Sequence, residues 1–167
     1  MYAKIGTVIE ELTEDEIDAF LRRQLIGRVG CHAFGRTYVV PVIYVWDGGY
    51  VYVQSIEGRK TRMMRANPEV CFEVDEYEPD GSWRSVIVDG VFEELEGSAA
   101  EAVLALLVQR FVGRRRETAG RVAGRKPVAF RIRATSVSGR RVVRTPATRA
   151  LTRAGVLLGR HRARRLR

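Results

Sequence analysis

The chain has 167 residues, 46% hydrophobic and 29% charged, which suits one domain with a sizeable core, with or without a tail, and excludes wholesale disorder. No run approaches the roughly 18 apolar residues of a membrane-spanning helix, the mixed and acidic N-terminus does not read as a secretory signal, and two cysteines, Cys31 and Cys71, are too few for a disulfide framework or a four-ligand zinc site. The net charge of +9 is uneven: residues 1–109 carry 10 basic and 19 acidic side chains, whereas residues 110–167 carry 19 basic side chains and one acid, Glu117. The high charge therefore belongs to one end of the chain, and a reduced, cytoplasmic setting is expected.

Thr13-Glu14-Asp15-Glu16 has the form of a capping box. Ile17, Phe20, Leu21 and Leu25 recur at helical spacing, so a helix is expected over 14–25, with Gly27 as its terminator. Strand signals rich in Val, Ile, Tyr and Phe follow over 28–34 and 37–46. Asp47-Gly48-Gly49 turns the chain into a strand over 50–55. Residues 57–66 read as a short helix stopped at Asn67-Pro68. Over 70–77, Val70, Phe72 and Val74 alternate with Cys71, Glu73 and Asp75. Residues 83–95 form a long strand or a bent pair. Ser98 to Glu101 make a second capping box, ahead of a helix over 102–112 that is apolar almost all round and needs cover on several sides. A basic, Gly-broken loop spans 114–126. A last strand over 128–137 alternates Val128, Phe130 and Ile132 with Ala129, Arg131 and Arg133. About six strands with turn-length connections and three helices imply a mainly β fold, an antiparallel barrel with peripheral helices. The βαβ alternation of a doubly wound fold is absent.

One segment concentrates binding chemistry. The strand over 50–55 ends in Gln54 and Ser55, a turn with Gly58 follows, and Arg59 and Lys60 then open a helix. Free N–H groups and the positive end of a helix dipole favour an anion there, and adjacent Arg and Lys suit a phosphate monoester. A solvated basic helix start is the plainer alternative.

The wider pattern sets that segment in context. Tyr38-Val39-Val40-Pro41-Val42, Asp47-Gly48-Gly49, Gln54-Ser55, Gly58-Arg59-Lys60, Arg65-Ala66-Asn67-Pro68 and Trp83-Arg84-Ser85-Val86-Ile87-Val88-Asp89-Gly90 occur in this order. Together they resemble the pyridoxamine 5′-phosphate oxidase-like family, nearest the nitroimidazole-resistance branch, over about Thr13 to Gly139. The resemblance implies a homodimeric split β-barrel with FMN in a groove between subunits, over residues 1–139, followed by a basic tail over 140–167. It implies that Arg59 and Lys60 hold the FMN phosphate, with Gln54 and Ser55 beside it. Val40, Pro41 and Val42 would line the isoalloxazine, and Arg84 and Ser85 would reach the cofactor, often from the other subunit. Trp83 and Trp46 are rings able to stack on a flavin, packing being the alternative. The implied function is that of a flavin-dependent oxidoreductase of a small substrate, a nitro-aromatic in the specific version. F420 and haem are the alternative cofactors, and a non-enzymatic binding module is the alternative role.

The sequence also departs from that pattern. Oxidases proper carry an Arg and a Lys before the Asp-Gly turn, where this chain has Pro41-Val42-Ile43-Tyr44-Val45. Ser85 replaces a Gln, and Gln54 stands where resistance-type relatives often have a His. Pyridoxine-phosphate oxidation is therefore not expected. Cys31 and His32 are adjacent on a strand and point to opposite faces, so no shared metal is expected. Cys71 is expected to pack. The sequence points to no catalytic acid or base. The tail from Pro146 is expected to be disordered, or a short amphipathic helix able to meet an anionic membrane or nucleic acid.

Overall fold

The computed structural model describes residues 7–111 and 126–144. They form eight strands and three helices, and the architecture is the expected mainly β, antiparallel split barrel with peripheral helices.

The strand β1 (Thr7–Glu11) has no counterpart in the sequence reading. Val8 and Ile9 are both exposed, so no buried alternation marks it. A partner makes it a strand: Thr7 lies opposite Arg144, and Glu11 opposite Arg140, on the last strand, β8 (Pro127–Arg144). Opposite charges meet across that ladder. Arg141 donates to Glu10 at 2.7 Å and to Glu16 at 2.6 Å.

The helix α1 (Glu14–Arg23) starts on the expected capping box. The Glu16 amide donates to the Thr13 hydroxyl at 3.3 Å, and the Thr13 amide donates to the Glu16 carboxylate at 2.9 Å. Ile17, Phe20 and Leu21 face the core. The helix ends two residues early, and Gly27 is not its terminator. Gly27 lies inside β2 (Ile26–Ala33), where a Cβ would stand 2.2 Å from the buried Phe72 ring. The last carbonyls of α1 are taken up from elsewhere. The Tyr44 hydroxyl donates to the Leu21 carbonyl at 2.7 Å, and Arg110 donates to the carbonyls of Arg22 and Gln24. A cation there complements the negative end of the helix. Tyr44→Phe leaves the Leu21 carbonyl without this donor and is expected to cost about 1–3 kcal/mol. A denaturation midpoint equal to wild type would contradict that.

The strand expected over 37–46 is two strands. β3 (Arg36–Ile43) pairs with β2, then Tyr44 intervenes, and β4 (Val45–Asp47) pairs with β5 (Tyr50–Ile56). The chain changes partner at Tyr44, and that change splits the barrel. The remaining strands are β6 (Glu69–Tyr77) and β7 (Trp83–Leu95). The sheet order is β3-β2-β6-β7-β8-β5-β4, with β1 on β8. The two edges of this path, β3 and β4, are consecutive in the chain, so the sheet curls back on itself.

β7 spans the expected 83–95 as one strand, whereas β8 runs further than its local pattern indicates. Asp89-Gly90 lies in the middle of β7, at a bulge. The register steps there from Asp89 opposite Ser136 to Gly90 opposite Ala134, leaving Thr135 extra. β8 continues past Val137, the expected end, and takes in residues 140–144 that were assigned to the tail. Residues 145–167 and the basic stretch 112–125 lie outside the described residues.

The helix α3 (Gly97–Phe111) begins before the expected box, so Ser98 to Glu101 lie in its first turns. Val103 and Leu107 pack with Val45 and Ala129 in a small satellite cluster. Leu104 and Val108 are exposed. Cys71 is exposed too, contrary to expectation, because the alternation of β6 sends Val70, Phe72 and Val74 inward and Cys71 outward. Among the described residues no helix is long and apolar enough to cross a membrane.

Candidate functional site

The expected short helix is α2 (Arg59–Ala66), and it ends at Asn67 before Pro68, since a residue before proline disfavours helical geometry. The Asn67 side chain accepts from the Glu69 amide at 3.2 Å and donates to the His32 carbonyl at 2.9 Å. At the other end, the Glu57 amide donates to the Lys126 carbonyl at 2.8 Å, tying the turn to the approach to β8. The backbone of Gly58 is extended, and its N–H donates to the hydroxyl of the fully buried Thr61 at 3.0 Å. Arg59 and Lys60 are thus the first two residues of a helix whose turn is pinned on both sides.

The two cations meet different surroundings. The Arg59 guanidinium lies 4.5 Å from the centre of the Tyr38 ring on β3. Lys60 is half-buried, and burial pulls its pKa down, while the nearby Cys31 acts in the opposite sense. Burial likewise pushes the Cys31 thiol up, against the pull of Arg59 and Lys60. Glu57 is held down to about 2, chiefly by hydrogen bonds from Arg65 and Thr61. Among the described residues eight arginines each have a carboxylate within 3.5 Å. Among the described residues Arg59 and Lys60 have none.

β3 and β5 lie against each other without a hydrogen-bonded ladder, and Arg59 reaches Tyr38 across that gap. Val40, Pro41 and Val42 lie further along β3, respectively half-buried, exposed and buried. Pro41 has no N–H to donate, which suits the edge strand it occupies. Ser55 lies at the end of β5, half-buried. Val40 and Val42 share a face of β3 with Tyr38, the residue Arg59 reaches, whereas Pro41 faces the other way. Gln54 faces the other way, into a separate hollow of about 400 Å³ beside Lys126 and the start of α3.

Trp83, Arg84 and Ser85 are not brought to this corner within one chain. The register puts the Leu95 end of β7 beside Ala129 and the Trp83 end beside Val142. At about 3.3 Å per residue the two ends stand roughly 40 Å apart along the strand. Arg84 lies 3.5 Å from Glu76 and 5.7 Å from the Phe20 ring, and Trp83 is half-buried near Glu10 and Arg141. Trp46 packs in the core and donates to Asp18 at 2.8 Å. His32 points outward to Thr37, at 3.0 Å, and Cys31 points inward. No group of three potential metal ligands occurs among the described residues.

A hollow of about 780 Å³ is an open groove on the outer face of β2, β6 and β7, beside Val39, Cys71 and Asp89. None of the residues expected at the cofactor lines it. The sequence reading also missed the surroundings of the corner: Thr61, Glu57, Arg65 and Glu94. The spacing from Glu57 to Thr61 and Arg65, four and eight residues, follows one helical face and was legible. Glu94 carried no local signal.

The family described as pyridoxamine 5′-phosphate oxidase matches residues 13–141. A FAD-binding protein of Mesorhizobium loti is 31% identical, with a TM-score of 0.67 over 83% of this chain and 99% of that one. A structure named F420 reductase is 26% identical, with a TM-score of 0.56 over 72% of this chain and 94% of that one. A putative 5-nitroimidazole antibiotic resistance protein of Bacteroides thetaiotaomicron, 17% identical, shares the fold, with a TM-score of 0.69 over 83% of this chain and 90% of that one. The uncharacterized protein RA0666 of Rhizobium meliloti (strain 1021) is 29% identical over 87 residues, 52% of this chain. That match spans 58% of the length of the curated relative. With the split barrel, the order of its motifs and a match over most of its length, the chain belongs to the pyridoxamine 5′-phosphate oxidase family.

Proposed function

We propose that the protein is a flavin-dependent oxidoreductase that binds FMN between two copies of the chain, with the phosphate at Arg59 and Lys60. The observation that carries this reading is the adjacency of those two cations at the start of α2. Among the described residues eight arginines pair with carboxylates; exposed Arg36 and Arg62 do not, but Arg59 and Lys60 are two such unpaired cations side by side at a helix start. An external dianion fits them: it satisfies both charges and the free N–H groups of the first turn.

The remaining residues have definable parts in this reading. Val40 and Val42 offer an apolar wall on the Tyr38 face of β3, which restricts water, while Pro41 lies on the opposite face and would meet a cofactor only from that side. Ser55 offers a hydroxyl at the end of β5. Gln54 reaches the cofactor only if its side chain turns from the α3 side. Trp83, Arg84 and Ser85 serve a site on the second copy, since their own corner lies at the far end of β7. The outer groove, with Val39 exposed on it, is the face on which that copy would seat. When bound, the flavin supplies acceptance and release of an electron pair, chemistry that no side chain provides. A nitro-aromatic is the specific acceptor this reading favours. F420 is the second cofactor to test, given the 26% identity to a structure named F420 reductase.

The test is direct. The purified protein is expected to show a flavin spectrum, or to quench FMN fluorescence on titration after the cofactor is stripped, and to sediment as a dimer. Parallel titrations with FAD, F420 and haemin rank the alternatives. A colourless protein that leaves FMN fluorescence unchanged would refute the flavin reading.

A further inference from the structure

The corner contains a carboxylate as well as cations. Glu57 lies two residues before Arg59 and three before Lys60, and a spacing of three is within reach around a helix start. A free Glu57 would be an internal counter-ion competing with any phosphate. The structure turns it away. The Arg65 fork donates to both Glu57 oxygens, Oε1 at 3.0 Å and Oε2 at 2.8 Å, and the Thr61 hydroxyl lies 2.9 Å from Oε1. The same guanidinium donates to both oxygens of Glu94 at the end of β7, at 2.6 and 2.8 Å. Arg65 therefore stands between two carboxylates. It links the segment before α2, the last turn of α2 and the strand behind them.

Resting on the phosphate reading of the corner, we infer that Arg65 is a positioning residue for anion binding. By holding Glu57 along the Thr61 face of α2, it keeps Arg59 and Lys60 without an internal counter-ion. Its contribution is electrostatic rather than a matter of holding the helix in place. α2 is already anchored by the buried Thr61, Met63 and Met64.

The experiment measures dissociation constants of FMN and of riboflavin, which lacks the phosphate, for the stripped full-length protein and its variants. The affinity ratio of FMN to riboflavin isolates the phosphate. Arg65→Met frees Glu57, and the ratio is expected to fall about threefold to fivefold, the upper scale of one partly screened ion pair. Adding Glu57→Gln to Arg65→Met removes the competitor, and the ratio is expected to return to within about twofold of wild type. Glu57→Gln alone, which retains an acceptor for Thr61 and Arg65, is expected to hold or raise the ratio; it also serves if Arg65→Met does not fold. A helix clamp with no electrostatic part predicts the reverse: the double variant no better than Arg65→Met, and Glu57→Gln lowering the ratio. Either result overturns the inference. If the ratio collapses when Arg59 and Lys60 are replaced but is unmoved in Arg65→Met, this inference fails and the phosphate reading stands. If replacing Arg59 and Lys60 also leaves the ratio unmoved, both fail.

Discussion

Replacing Arg59 and Lys60 together with alanine is expected to weaken FMN binding at least about a hundredfold. A hydrogen bond to a charged group contributes about 1.5–3 kcal/mol, and two such contacts to one phosphate sum to about 3–6 kcal/mol. At about 1.4 kcal/mol per tenfold that is a factor of about 10² to 10⁴. The apo-protein should fold almost as well as wild type. Among the described residues neither cation has a carboxylate partner whose charge would be stranded. Arg59 forfeits only its contact with the Tyr38 ring, 4.5 Å away, about 0.5–1 kcal/mol. Half-buried Lys60 is a cation whose burial already opposes its charge, so losing it also relieves desolvation. Fluorescence titration checks the first statement and a melting curve the second. Riboflavin affinity should change little. Equal FMN affinity in the double variant and the wild type would remove the phosphate from this corner.

The second large effect concerns the barrel itself. Gly90→Ala is expected to destabilise the fold by about 3 kcal/mol, the upper range for inserting an atom into a packed interior. For a chain of this size that lowers the melting temperature by roughly 6–12 °C. A Cβ at position 90 would stand 2.6 Å from the Arg133 carbonyl oxygen and 2.6 Å from the Ile132 side chain. The first of these is ladder backbone, which moves only if β7 and β8 part. The site is the bulge, where the extra residue Thr135 donates its hydroxyl to the Asp89 carbonyl at 3.0 Å. Gly30→Ala is the control. Its nearest neighbour, the Cys71 carbonyl oxygen, is 3.5 Å from the added atom, so a loss below about 1 kcal/mol is expected. Equal melting temperatures for Gly90→Ala and wild type would show that the strands are not held this close.

Gly27 was misread in sequence, because it follows a helical pattern and so resembles punctuation. In the structure it lies within a strand with the Phe72 ring pressed against it, as the Arg133 backbone is against Gly90. A glycine required by a distant neighbour looks locally like one required by a turn. Gly48 and Gly49, with φ of 57° and 83°, are the contrasting case, where the backbone itself demands glycine and the turn was legible.

The sequence alone determined the antiparallel, mainly β class, α1 with its capping box, the short α2 stopped at Asn67-Pro68, and the adjacent cations at its start. Each of these rests on side-chain periodicity or on contacts within about four residues, so a local window contains its cause. Tertiary structure decided the rest. It made a strand of β1, which has no buried face and exists by pairing with Arg140 to Arg144. It broke 37–46 at Tyr44, where the chain changes partner. It carried β8 past Val137 through its ladders with β7 and β1, burying Val142 on the way. At the site it separated Gln54 from Ser55 by the pleat, placed Trp83 to Ser85 at the far end of β7, and joined Glu94 to Arg65 and Glu57. Strand partners, close backbone approaches and ion pairs between distant segments are set by which surfaces meet when the sheet closes, and that information is spread over the whole chain.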